Sequence, residues 1–568
     1  MVTDTHPLPR LAQVDSTWQL TVDDKPYLIL GAELQNSSMS SARYMDTVWQ
    51  KLADMSINTV LGAVTWEDIE PEEGKFDFSE LDAVITGARQ HNLRLIVLWF
   101  GSFKNGMSTY APAWVKTNPK RFPRMQVRKD GGLETSEVIS IFHEETMAAD
   151  AKAFTALMTH LKEMDSQRTV IMVQVENEVG LLQDSRDGSS SATRIFTEPV
   201  PADVVDFLAA DFDALHPHLK RNFSGLQEAL AKARSSGYTS SWEEVFGKSI
   251  YTDEIFMAYH YALYVEKVAA AGRAAHQLPL FTNVWLPRAG QADSSDNVAG
   301  GGGKPGEYPS GGAVSNVLDI WQRFAPTLAF ISPDIYLVDY SSLCEVYRHR
   351  GRPLFIPEQR RDDFGARRVW KAIGTYQAIG TSPFGIDTLE RDTSPWTKHY
   401  KLLASVSQHI LKARTKPRSM IGFYFDEVDE KDEQPVPVVR RFTGFELAID
   451  RAFVFGKPTP GAGIVIELAP GRFLLVGWGF RVEFKSTSPT SAFTGILRFE
   501  EKSVVNATTG ELRTERKLNG DETRSGKWCN MPDEDPDYGE GVIAVTIPGR
   551  TMIAEATVYS LDKADVEA

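Results

Sequence analysis

Cysteine is nearly missing, with only Cys344 and Cys529 in 568 residues. That excludes a disulfide framework and a thiolate metal cluster. No stretch approaches the roughly 18 consecutive apolar residues that a membrane span needs, so no membrane partner is expected. The opening "MVTDTHPLPRLAQVDSTWQL" lacks a charged segment followed by an apolar one. As written it implies a soluble, unexported, cytoplasmic chain, with secretion left open for a trimmed form. Positive charge is the minority, 61 Lys and Arg against 76 Asp and Glu for a net −15. The longest basic run is "RHRGR" at Arg348 to Arg352, which is too little to neutralise a phosphate backbone, so nucleic acid is not an expected partner. Metal is not expected either, because "FHEETM" lacks the second His of a HExxH pair. In "AGGGGKPGEYPSGG" (Ala299 to Gly312) the residue after Lys304 is Pro305 rather than Ser or Thr, so the run is not a phosphate loop. No cofactor fingerprint stands out. Association of identical copies stays open.

What is present is alternation. Short apolar runs are separated by stretches with apolar residues at helical spacing, the pattern of parallel strands with crossover helices. Eight strand candidates begin near Leu28, Ile57, Leu93, Val170, Leu278, Leu328, Arg352 and Ala378. Eight strands predict an α/β chain built on a (β/α)8 TIM barrel over residues 25–415, with its site where the strands end. A doubly wound open sheet is the competing arrangement. Residues 1–24 form an N-terminal segment with a hairpin turning at Asp23 and Asp24. The insertion from Leu181 to Tyr251 is expected over the barrel mouth. From residue 416 the pattern becomes period-two segments between Gly, Pro and Asp turns, predicting an all-β, sandwich-like domain over 416–568.

"VIMVQVENEVG" ends an apolar run in Glu176, Asn177 and Glu178, and "PLFIPEQRR" ends another in Glu358. One such Glu is ordinarily a solvated or salt-bridged loop residue. Two that terminate the fourth and seventh strands share one layer of a barrel mouth and face a common ligand. Paired carboxylates suit acetal chemistry: one held protonated donates to the leaving oxygen, and the other, ionised, attacks the anomeric carbon. A carbohydrate substrate follows. Asn177 is placed to hydrogen-bond a sugar hydroxyl, whereas Glu176 is expected one rung deeper as a structural partner of buried Arg or Tyr groups.

Here the sequence resembles glycoside hydrolase family 35. "VQVENEVG" is similar to its QxENE[YF]G signature, "TWEDIEPEEGKFDFSELD" to the stretch after its second strand, and "ISPDIYL" to its sixth strand. The resemblance implies a clan A barrel and a retaining, exo-acting β-galactosidase with Glu178 as acid/base and Glu358 as nucleophile. The family places a sugar-recognising Glu after the third strand, where this chain has "FGSFKNGMSTYAPAWV" with Lys104 and Asn105. A β-glucosidase or a transglycosylase using the same pair is therefore an alternative, as is a non-catalytic carbohydrate-binding protein on a barrel scaffold. Lys104 is read as either a donor to the sugar or a solvated charge. The remaining substrate-binding candidates are Trp66 and Glu67 as platform and acceptor, Glu33 at the first strand's end, Trp285, Tyr308 on the Gly-rich loop, and Tyr336, a phenol beside Glu358. Trp99 is read as core packing and Trp396 as a further aromatic near a strand end.

Overall fold

A computed structural model describes residues 6–15, 17–288, 302–428, 436–454, 457–458, 460–518, 520–533 and 549–566. The eight apolar runs are strands, and all are parallel: β1 Ile29–Glu33, β2 Thr59–Thr65, β3 Arg94–Lys104, β4 Val170–Asn177, β5 Leu280–Trp285, β6 Phe330–Asp334, β7 Phe355–Ile356 and β8 Gly380–Thr381. Each pairs with the next in chain order, and β8 returns to β1 through Gly380 opposite Ile29. The last seam, β6 to β7, closes just past the strand ends, where Ile335 pairs with Gln359. The result is a closed (β/α)8 barrel. The open-sheet alternative is set aside by that closure.

Side chains alternating inward along the strands fill one end of the barrel. Leu61, Ile96, Leu98, Phe100, Phe281, Phe330, Phe355 and Ile379 form a buried cluster there with Leu20 and Val22 of the N-terminal hairpin. Strands Thr17–Val22 and Lys25–Tyr27 are joined through Asp23 and Asp24, both at positive φ, the backbone that a two-residue hairpin turn requires. The hairpin plugs the end at which the strands begin. The polar residues at the opposite ends are thus left to form a cavity.

Helices Glu144–Met164 and Ile250–Ala275 pack side by side against the outside of β3 and β4. The insertion after β4 forms five α-helices and one short 3-10 helix between Ser190 and Phe246, and none of them lines the mouth cavity, where the sequence suggested a roof. Their apolar faces instead pack on the barrel's flank: Trp242 meets Phe256 and Tyr259, and Phe207 meets Phe324. Burying those aromatics against the long helix stabilises the insertion more than a position over a polar cavity would. No helix among the described residues is long and apolar enough to cross a membrane.

Beyond helix Pro395–Arg414 the regular elements among the described residues are strands, apart from a final helical turn at Lys563–Val566. A six-stranded sheet runs in the order Met420–Phe425, Gly461–Ala469, Arg472–Trp478, Ile553–Asp562, Ser491–Asn506, Glu511–Leu518. A four-stranded sheet of Val438–Arg441, Phe445–Arg451, Phe480–Ser486 and Cys529–Met531 faces it. Phe423, Leu447, Val465, Phe473, Leu475 and Val482 fill the space between them, which makes a sandwich. The other face of the larger sheet lies on the barrel. There a Cβ on Gly422 would overlap the Trp370 carbonyl oxygen, so only glycine admits this approach. The strand expected in "EGVIAVTIPG" falls almost wholly outside the described residues.

Candidate active site

The cavity at the carboxyl ends of the strands encloses about 250 Å³. Lys104 and Asn105 from the end of β3, Glu178 after β4, Trp285 of β5, Asp334 of β6, and Tyr336 and Glu358 beyond β6 and β7 all line it. Asn36, Arg288 and Phe384 contribute as well.

The local backbone around Glu178 explains why a buried strand ends in two carboxylates. Trp99 of β3 pairs with Val175 of β4, but the next pair is Lys104 with Asn177, so β3 bulges while β4 advances by only two residues. Glu176 at φ 60° and Glu178 at φ 45° take left-handed backbone there. The twist turns Glu176 out of the cavity, contrary to simple alternation. Its carboxylate accepts from the Ser102 and Phe103 amides at 3.3 and 2.7 Å. Its partners are therefore backbone N–H groups of the bulge, not an arginine. Asp150 joins it from helix Glu144–Met164, accepting from Trp99 Nε1 at 3.0 Å and Ser102 N at 3.1 Å. Burial, then the charge of Asp150, holds Glu176 well above the usual carboxyl range. A Cβ on Gly101 would overlap Trp99 Nε1, Glu176 Oε1 and Asp150 Oδ1, so the bulge needs glycine. This clamp carries Lys104 and Asn105 into the cavity.

Glu178 and Glu358 are both buried, 7% and 6% exposed. The nearest oxygens of Glu178, Asp334 and Glu358 all lie within 4.8 Å of one another. Burial and the charge of Glu358 push Glu178 up to about 7, with Lys104 and a hydrogen bond to Asp334 opposing. Glu358 accepts from Tyr336 Oη at 2.8 Å and from Asn283 Nδ2 at 3.2 Å. Asn283 Nδ2 also donates to Asp334 Oδ2 at 2.8 Å, and its Oδ1 accepts from the Glu178 amide at 2.9 Å. One amide thus touches all three acidic residues. Lys104, buried and donating to Asn177 Oδ1 at 3.0 Å, supplies the balancing positive charge. Burial works against its ammonium, but Glu358, Glu178, Glu33 and Asp334 together push its pKa up. It is accordingly not a solvated charge. Glu33, at the end of β1, is held well above its usual range by burial and by the charge of Glu358.

Several buried polar atoms here have no hydrogen-bond partner: both Glu33 oxygens, Asn105 Oδ1, Asn177 Nδ2, Trp285 Nε1 and Asp334 Oδ1. Buried polar groups are ordinarily paired, so such a concentration marks a surface made for a polar ligand.

Of the residues singled out in the sequence, Glu178, Glu358, Asn177, Lys104, Asn105, Glu33, Trp285 and Tyr336 are brought together here. Trp66, Glu67 and Tyr308 are not. Trp66 is fully buried, donates to Glu70 Oε2 at 2.8 Å and packs edge-on against Trp114, because its side chain starts a helical turn directed away from the mouth. Glu67 pairs with Lys116 at 3.0 Å on the outside. Tyr308 is buried and donates to Glu254 Oε1 at 2.8 Å, fixing its loop to the long helix. Trp99 and Trp396 are fully buried. Asn283 and Asp334 were missed, although "FTNVW" and "ISPDIY" each set a polar residue in an apolar strand, the signal that singled out Glu178 and Glu358.

Comparison with known proteins adds to this. The glycoside hydrolase family 42 model, described as beta-galactosidase, matches residues 38–248. A domain of unknown function, DUF5597, matches residues 396–530. Over residues 38–248 the chain is similar to that beta-galactosidase family. A beta-galactosidase of Xanthomonas manihotis is 28% identical over 195 residues, which cover 31% of this chain and 29% of that protein. The match therefore spans less than a third of the relative's length. Among solved structures, the beta-galactosidase of Bacillus circulans sp. alkalophilus shares 15% identity over 68% of this chain and 57% of that one, at a TM-score of 0.42. The catalytic domain of a Paenibacillus polymyxa beta-amylase shares 11% over 65% and 96%, at 0.44. The fold assignment rests on the strand order given above, not on these two likenesses. The match to a family 42 model, where the sequence motifs suggested family 35, leaves the coarser statement of a β-galactosidase-like glycoside hydrolase region.

Proposed function

We propose that this chain is a retaining, exo-acting β-glycosidase that releases terminal β-galactosyl residues from oligo- or polysaccharides by double displacement. The observation that carries the reading is the pair Glu178 and Glu358, buried at one barrel mouth with their nearest oxygens within 4.8 Å. Retaining enzymes set their two carboxyl groups about 5–5.5 Å apart, and inverting ones about 6.5–9.5 Å to admit a water. The spacing here fits the shorter class. A cavity of about 250 Å³ suits one sugar unit, which favours attack at chain ends.

In this reading Glu178, with its pKa pushed up to about 7, protonates the glycosidic oxygen. Glu358, held by Tyr336 and Asn283, attacks the anomeric carbon as the bond to the leaving group breaks. Glu178, now ionised, takes a proton from water, which displaces Glu358 and frees the sugar. Lys104 occupies Asn177 Oδ1, so Asn177 Nδ2 points its donor at a sugar hydroxyl. Trp285 and Asn105 offer further contacts. The chain's place in family 35 belongs to the same proposal and rests on "VQVENEVG". The loop after β3, with no carboxylate, favours glucose as the second choice of sugar.

Nitrophenyl glycosides varied in sugar and anomer, read by release rate, test the proposal. Faster release from the β-galactoside supports it. A preference for the β-glucoside, or product transferred to an added acceptor, moves the activity to the alternatives, and sugar binding without release makes the chain a binding protein.

A further inference from the structure

Double displacement requires two carboxyl groups, and this cavity brings three together. Asp334 is 4% exposed, and its nearest oxygen lies within 4.8 Å of those of both Glu178 and Glu358. Three buried carboxyl groups this close cannot all ionise, so the group holds at least one proton. Oδ2 of Asp334 already accepts from Asn283, and no donor reaches Oδ1. Of the two Asp334 oxygens, Oδ1 is thus the one available to carry a proton.

We propose that Asp334 is a positioning residue that keeps its own proton throughout the cycle and donates it as a hydrogen bond to Glu178 whenever Glu178 is ionised. The inference rests on the glycosidase reading given above. When Glu178 passes its proton to the leaving oxygen, its new charge is met by the Asp334 hydroxyl. When Glu178 later takes a proton from water, that bond relaxes, and Asp334 neither gains nor loses a proton. Asn283 fixes the geometry, because the same amide holds Asp334, Glu358 and the Glu178 backbone. The surroundings favour the neutral form. Burial first, then the negative charges of Glu358 from β7, Glu178 from β4 and Glu33 from β1 that face it, hold Asp334 well above the usual range. Lys104 from β3 is the cation in the group, Tyr336 donates to Glu358, and Tyr347 also senses Asp334.

The test compares D334N and D334A by the pH profile of kcat/KM, whose basic limb reports the free enzyme's acid. Asparagine has the shape of a protonated aspartic acid and keeps a donor, so D334N should leave the limb in place. D334A removes the donor and should move the limb up by about one to two pH units. A limb that falls in D334N, as loss of a negative charge beside Glu178 would cause, overturns the proposal, and so does a limb unmoved in both variants. A second measurement is independent of turnover. In wild-type protein carrying carboxyl-13C aspartate, one aspartate should remain protonated at about pH 7, and in folded D334N that signal should be absent. All aspartates ionised there, or the signal persisting in D334N, overturns the proposal. A wild type that cleaves no glycoside defeats the glycosidase reading instead, and the 13C spectrum then decides the state of Asp334 alone.

Discussion

Replacing Lys104 with methionine keeps the aliphatic stem and removes one buried ammonium. Lys104 is 6% exposed and feels Glu358, Glu178, Glu33 and Asp334. Removing one partner of a buried charge group typically costs about 3–5 kcal/mol, because the remaining charges stay desolvated. The cost should depend on pH. Glu33 and Glu178 are already raised in the folded state, by burial first and then by the charge of Glu358, with Lys104 pulling both down. A carboxyl whose folded pKa exceeds its unfolded value of about 4.3 favours folding fully below that value, and the benefit is lost as pH rises through the folded one. For Glu178 the window ends at about 7. Without Lys104 both folded values climb further, so more stability is lost on the way up. Urea unfolding of wild type and K104M should therefore show a small difference at about pH 4.5, widening toward about 3–5 kcal/mol by about pH 8. A deficit that stays constant with pH, or no deficit at all, would refute the placing of Lys104 as counter-charge to these carboxylates.

Glu178→Gln and Glu358→Gln should each lower turnover by orders of magnitude, and activated aryl glycosides should partly spare the first step of the Glu178 variant. Because burial raises Glu178 to about 7 in the folded chain, E178Q should be more stable than wild type by about 3 kcal/mol at about pH 8 and no more stable at about pH 4; equal stability at both values contradicts this. Tyr336→Phe removes the 2.8 Å hydrogen bond to Glu358 and should lower kcat roughly 10- to 100-fold with KM little changed, a split that steady-state kinetics reads. Gly101→Ala forces a methyl into the Trp99, Glu176 and Asp150 clamp, so thermal unfolding should show a loss of about 1–3 kcal/mol and activity should fall with it, since the bulge carries Lys104.

The barrel was legible because each strand is a bounded apolar run. Periodicity could not say where the insertion packs, since its apolar faces fit a flank as well as a mouth. Glu178 and Glu358 stood out as charges ending apolar runs, but alternation failed at Glu176, where positive φ and the opposing bulge turn the side chain outward. Trp66 and Tyr308 were assigned by nearness to strand ends. Their directions are set by tertiary partners, Glu70 and Glu254, which local sequence does not reveal. Asn283 and Asp334 passed as ordinary polar strand residues, because their importance lies in contacts among three strands.

The stereochemistry of the first-formed sugar tests the paired-carboxylate account most directly. Proton NMR of a β-galactoside hydrolysis, followed before the released sugar equilibrates, should show the β anomer appearing first, as two displacements through Glu358 require. First appearance of the α anomer would mean a single displacement by water, and would contradict the roles given to Glu178 and Glu358.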